Sequence, residues 1–256
     1  MTSGQNTEIT TEDLLAAADE ALIEAGFRTG EFAEAQRLVR AAAHSAEQHG
    51  DEAGAAAAAC LHGYVLHYRN ITSLIAGEQP EQAVVELEQE QFAAALAGFE
   101  KLGDEAGIAH VEFGLGVYVQ VLKDDFDGAM THYRRAESLI PALEAAGDLY
   151  TRSEIHRHLG FYHLVADKQV GTAVQHLQIS LDLREEQGEQ RRIPSGLVAL
   201  AWAERENGNP RRAALLARRA VELARAEGLL PARIADAERE LAAAEAALHA
   251  EQSAEG

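Results

Sequence analysis

Four glycine–acid junctions constrain this chain more than any other feature. Gly50-Asp51, Gly103-Asp104, Gly147-Asp148 and Gly188-Glu189 recur at spacings of 53, 44 and 41 residues. Each closes one stretch of helical apolar periodicity and opens the next. Glycine takes the left-handed conformation that ends many helices, and aspartate accepts hydrogen bonds from the free N–H groups that begin another. A junction this short leaves no room for a loop, so the two helices it joins must pack as neighbours. Composition points the same way. Of 256 residues, 51 are Ala, the best helix former and a residue depleted in strands. With 5% aromatic residues, the core must be built mainly from Leu, Val, Ile and Ala.

Aligned on these glycines, the chain shows a second pattern. Thirteen residues on stand Gly63, Gly116, Gly160 and Ala201, preceded by His62, Leu115, Leu159 and Leu200. Each of the last three helices then reaches a polar turn and an alanine: Ala129, Ala173 and Ala213. The pairs Leu115-Gly116, Leu159-Gly160 and Leu200-Ala201, the alanines that follow them, and Pro141 at the end of one unit resemble the tetratricopeptide repeat. The resemblance covers residues 11–230. Small residues suit it physically, because two helices of a hairpin approach closely only where side chains are absent or short. The period exceeds the usual ~34 residues, and Glu112, His156 and Leu197 stand where the family carries a large aromatic. Long repeats of this kind resemble those of bacterial regulators and peptide-sensing proteins.

The resemblance implies an all-α, right-handed superhelix of about five hairpins plus a C-terminal capping helix. One repeat domain would span 11–250, between a disordered 1–10 and a frayed tail at 251–256. Helices are expected near 11–25, 31–48, 51–70, 81–102, 104–122, 127–146, 148–165, 170–187, 190–206, 210–227 and 231–249. Val117–Val121 has the composition of a strand, but its repeat register places it inside a helix. In the last helix Ile234, Leu241 and Leu248 lie seven apart and give the narrow apolar stripe of a cap. One insertion breaks the regularity. Twenty residues separate Gly63 from its matching Ala83, against 13 in the next two repeats. The excess falls at 70–80, where Ile71, Leu74 and Ile75 are apolar. It is either extra helix on its own hairpin or a lid at one end of a groove.

Charge and composition exclude several classes of function. Against 42 Asp and Glu stand 22 Lys and Arg, a net charge of −20. That disfavours broad nucleic-acid binding and anionic membrane surfaces. No run of 18 apolar residues suggests a spanning helix. The polar start at 1–11 does not resemble a secretory signal. A single cysteine, Cys60, fits a reducing cytoplasm and permits no internal disulfide.

The repeat register implies a recognition surface. In the family, the first helix of each hairpin lines the concave side, and the position after the small residue faces it. Those positions are Tyr64, Val117, Phe161 and Trp202, three of them aromatic. Neighbouring concave positions by the same register are His67, Tyr68, His110, Phe113, Gln120, Glu154, Arg157 and Arg205. Aromatic residues interleaved with polar ones are the usual makeup of a binding face; the competing reading is that these rings pack on one another.

Chemistry beyond binding has little support. His156, His158 and His163 lie on one helix, with no His pair at spacing three or four. His156 and His163 share a face but stand ~10 Å apart along the axis, too far to chelate one ion. No metal or other cofactor is therefore expected. No nucleophile is marked: Cys60 has no His at helical spacing, and Ser153 and Ser195 lie in no catalytic motif. Arg211, Arg212, Arg218, Arg219 and Arg225 form a stripe beside Glu222 and Glu227, a solvated face or a contact with an acidic partner or a second copy. The expectation is a non-catalytic cytoplasmic adaptor that offers its groove to a protein, a peptide or an extended apolar ligand. A homodimer is compatible with it. The alternative is a small-molecule sensor or biosynthetic enzyme using the same groove, closed by 70–80.

Overall fold

The computed structural model describes residues 9–255, and the expected disorder of 1–10 falls largely outside them. Among the described residues the chain is all helical, 85% helix with no strand. Twelve α-helices follow one another: α1 Thr11–Glu24, α2 Ala33–His49, α3 Glu52–Ile75, α4 Gln82–Leu102, α5 Glu105–Leu122, α6 Phe126–Ser138, α7 Ile140–Ala146, α8 Leu149–Val165, α9 Val170–Gln187, α10 Ile193–Glu206, α11 Pro210–Ala226 and α12 Pro231–Glu255. A short π-helical stretch, Ala25–Thr29, extends α1. No described helix is long and apolar enough to cross a membrane.

Three of the four junctions form as their residues dictate. Gly50, Gly103 and Gly147 have φ of 65°, 68° and 72°. Asp51, Asp104 and Asp148 then accept from the backbone N–H of Gly54, Gly107 and Thr151 at 2.8, 3.0 and 2.8 Å. The fourth differs. Gly188 turns at φ 79°, but Glu189 caps nothing and instead receives the backbone N–H and guanidinium of Arg191. Helix α10 accordingly begins only at Ile193, three residues later than expected.

Three further boundaries depart from expectation. The segment 127–146 is two helices, because Pro141 has no N–H to continue the ladder and the chain breaks at Leu139. Helix α3 runs to Ile75, so most of the insertion is added helix. Buried Asn70 ties it to α4 of the same hairpin through Glu88. Helix α12 continues to Glu255, through most of the tail expected to fray.

Two compact units divide the chain, one ending at Phe126 and the other beginning at Asp127. In the first, α1 pairs with α2 and α3 with α4, while α1 touches α3 and α3 touches α5. In the second, α8 pairs with α9, α10 with α11 and α11 with α12, while α8 touches α10 and α10 touches α12. Close approach depends on small residues. Phe92 of α4 is fully buried and lies in notches left by two glycines. A Cβ on Gly63 of α3 or on Gly114 of α5 would each come 2.6 Å from its Cε1. In the second unit a Cβ on Gly160 would stand 2.6 Å from Leu177 Cγ and 3.4 Å from the carbonyl of Ala173. Ala129, Ala173 and Ala213 are all buried, as their register requires.

Candidate functional site

In the first unit the expected groove residues gather, but inside. Tyr64, His67, Phe113 and Val117 are buried. The Tyr64 ring stacks on Phe113 at 6.4 Å, lies tilted against His110 at 4.8 Å and meets Phe92 edge-on at 5.2 Å. Its hydroxyl donates to the His110 carbonyl at 2.8 Å. Tyr68, half-buried, leans on Phe27 and fills the space beside Gly26. Gln120 is half-buried on α5. The four buried side chains therefore pack as core and present no surface: Tyr64 and His67 come from α3 and Phe113 and Val117 from α5, two helices in contact.

His67 belongs to a buried polar group that the sequence did not announce. Its Nδ1 lies 2.7 Å from Glu88 Oε1, while Asn70 Nδ2 donates to Glu88 Oε2, also at 2.7 Å. A carboxylate accepts, so His67 Nδ1–H donates to it and the ring is fixed. His67 Nε2 is buried and meets no hydrogen-bond partner among the described residues. Glu88 had a signal available: it sits four residues from both Val84 and Phe92, a charge on the apolar face of α4.

In the second unit, buried Glu154 is the centre of a cationic cluster. Arg184, itself 2% exposed, donates to Glu154 and also to Ser195 and the Arg192 carbonyl. Arg157 approaches the other carboxylate oxygen at 3.8 Å, and Arg192 lies over the Tyr150 ring at 3.6 Å. Burial raises the Glu154 pKa, but the charges of Arg184, Arg157, His158 and Arg192 outweigh it and hold the group below the usual carboxylate range. Arg184 shares the apolar face of α9 with Leu177 and Leu181, which is again where a charge signals a buried partner.

Beside this cluster lies a partly exposed aromatic face. Phe161 of α8 and Trp202 of α10 are half-buried, with ring centroids 5.9 Å apart. The Arg157 guanidinium sits over Phe161 at 4.8 Å, and its Nε is buried without a hydrogen-bond partner among the described residues. His158 meets Phe161 edge-on and shares a hydrogen bond with Tyr133 of α6 at 3.1 Å. Burial, followed by the charge of Glu154 against the opposing Arg157, leaves the Tyr133 phenol harder to ionise. Arg205 is held by Glu240 of α12 at 3.0 Å and by Glu206.

The histidines of α8 acquire a partner from α9. His176 Nδ1 lies 3.0 Å from His156 Nδ1, and its ring stacks on His163 at 5.4 Å. His163 Nδ1 bonds Asp167 at 3.0 Å. Among the described residues no three His, Cys, Asp or Glu side chains are gathered so as to hold a metal ion.

Four arginines of the α11 stripe are engaged by neighbouring helices. Arg212 pairs with Glu204 of α10, Arg219 with Glu185 of α9, and Arg218 and Arg225 with Glu245 and Glu238 of α12.

No model of a known protein family matches the chain, and no curated protein is significantly similar to it in sequence.

Proposed function

We propose that the protein is a non-catalytic binding or adaptor protein of the tetratricopeptide kind, its hairpins stacking as a right-handed superhelix. It offers the aromatic face of its second unit to a protein or peptide partner. The observation that carries the reading is the Phe161–Trp202 pair: two half-exposed rings from the first helices of adjacent hairpins, 5.9 Å apart. Aromatic side chains beside arginine are the commonest anchors of protein interfaces. Contacts between α8 and α10 and between α10 and α12 support stacked hairpins.

Photo-crosslinking in the native host tests it. A benzophenone side chain at position 161 or 202 should capture a discrete partner, and the same group at outer-face position 218 should not. Absence of adducts at 161 and 202, or equal capture at 218, defeats the reading.

A second reading, a small-molecule sensor or enzyme, draws on His67. Glu88 orients the ring, and its buried Nε2 has no hydrogen-bond partner among the described residues; a small molecule enclosed within the first unit would bond there. Native mass spectrometry of protein purified from its host decides this one. A retained small molecule that His67→Gln releases favours it, and ligand-free protein counts against it.

A further inference from the structure

Three imidazoles form a ladder between the two helices of one hairpin. His156 and His163 stand two turns apart on α8, and His176 of α9 fits between them. It touches His156 through facing Nδ1 atoms at 3.0 Å and His163 through stacked rings at 5.4 Å. Two facing imidazole nitrogens at that distance must share one proton. If both rings become imidazolium, two N–H groups and two positive charges oppose each other.

The surrounding charges relieve this only in part. Arg152, one turn before His156 on α8, adds positive charge, although Glu144 of α7 binds it at 2.8 Å. Asp167, in the turn after α8, bonds His163 at 3.0 Å. Glu137 of α6 acts on His176. Helix α10 meets the hairpin through Leu177, Leu181, Ile193 and Leu197.

We propose that the ladder is an acid-sensitive joint: protonation of His156 and His176 drives α9 from α8 and loosens the hairpin that carries Phe161. The proton affinities agree with the geometry. Burial first, then His176 and Arg152, lower the His156 pKa to about 4. Burial and His163 lower that of His176, against the opposing charge of Glu137. Both groups have folded values below the ordinary 6.5. The unfolded chain therefore binds more protons between that value and about 4, and stability falls as pH falls through this window. At neutral pH the joint is closed. The inference does not depend on what Phe161 binds.

Two measurements on the full chain test it. In the first, imidazole Cε1–Hε1 resonances are followed against pH. His156 should titrate well below 6.5 and His176 below it, and ordinary midpoints for both overturn the proposal. In the second, thermal melts at pH 7.5, 6.5, 5.5 and 5.0 compare the parent with His176→Gln, which keeps a hydrogen-bonding side chain but does not titrate. The parent should lose ~5 °C or more across the range, and the variant should lose distinctly less. Equal slopes overturn the proposal. The resonance titration stands even where the variant fails to fold.

Discussion

The ring of Phe92 occupies the space that a side chain on Gly63 would need: a Cβ there would meet Cδ1 and Cε1 at 2.7 and 2.6 Å. The α3–α4 hairpin closes because one position has no side chain and its partner has a large one. Gly160 and Leu177 repeat the relationship between α8 and α9.

Gly63→Leu and Gly160→Leu should each destabilise the protein by about 1–3 kcal/mol or more through overpacking. Ala at these sites gains helix propensity, but its methyl group still collides. Chemical denaturation checks this against Gln252→Ala at the exposed end of α12, which should unfold with the parent. If the leucine variants also do so, the assigned contacts are wrong.

Phe161→Ala and Trp202→Ala should leave far-UV circular dichroism unchanged and weaken partner binding by ~2 kcal/mol or more each. Trp202 is the only tryptophan, so its emission reports occupancy directly. The measurement is a titration of the crosslinked partner, once identified, into parent and Phe161→Ala. Parental affinity in both alanine variants would remove the face from consideration.

Glu154→Gln should destabilise by about 3–5 kcal/mol, because it leaves the buried Arg184 without its counter-charge. The sign of the pH dependence follows from the depressed pKa. The stability contributed by Glu154 is fully present above the unfolded value near 4.5 and is lost as pH falls through the lower folded value. Urea denaturation of parent and variant from pH 7 to 3 should converge at the acid end. A constant gap over that range would show that the charge plays no part.

Arg218→Ala should change stability by less than ~0.5 kcal/mol. Its pair with Glu245 is open to solvent on both sides, and exposed pairs are screened. A loss of more than 1 kcal/mol in the same assay would mark the α11–α12 stripe as structural.

Helix ends were legible because they are local. Thr10 and Asp13 cap α1 reciprocally across three residues, and the Gly–Asp junctions work over the same span. The candidate site was legible only in part. The register gave Phe161 and Trp202 equivalent positions, both after small residues, and their rings lie 5.9 Å apart. It failed for Tyr64 and Phe113, because whether a ring lines a surface depends on what covers it. Here α4 supplies Phe92 to the same cluster.

The sequence alone determined that the chain is helical and where most helices begin and end, since caps, glycine turns and alanine content act between residues a few positions apart. Tertiary structure alone decided which polar groups are buried and with whom. Glu88 meets His67 across 21 residues, His176 meets His156 across 20, and Arg184 meets Glu154 across 30. A carboxylate or imidazole on a helix carries no mark of its partner. Only packing brings the second helix to it, and desolvation then forces the pair to bond, share a proton or repel.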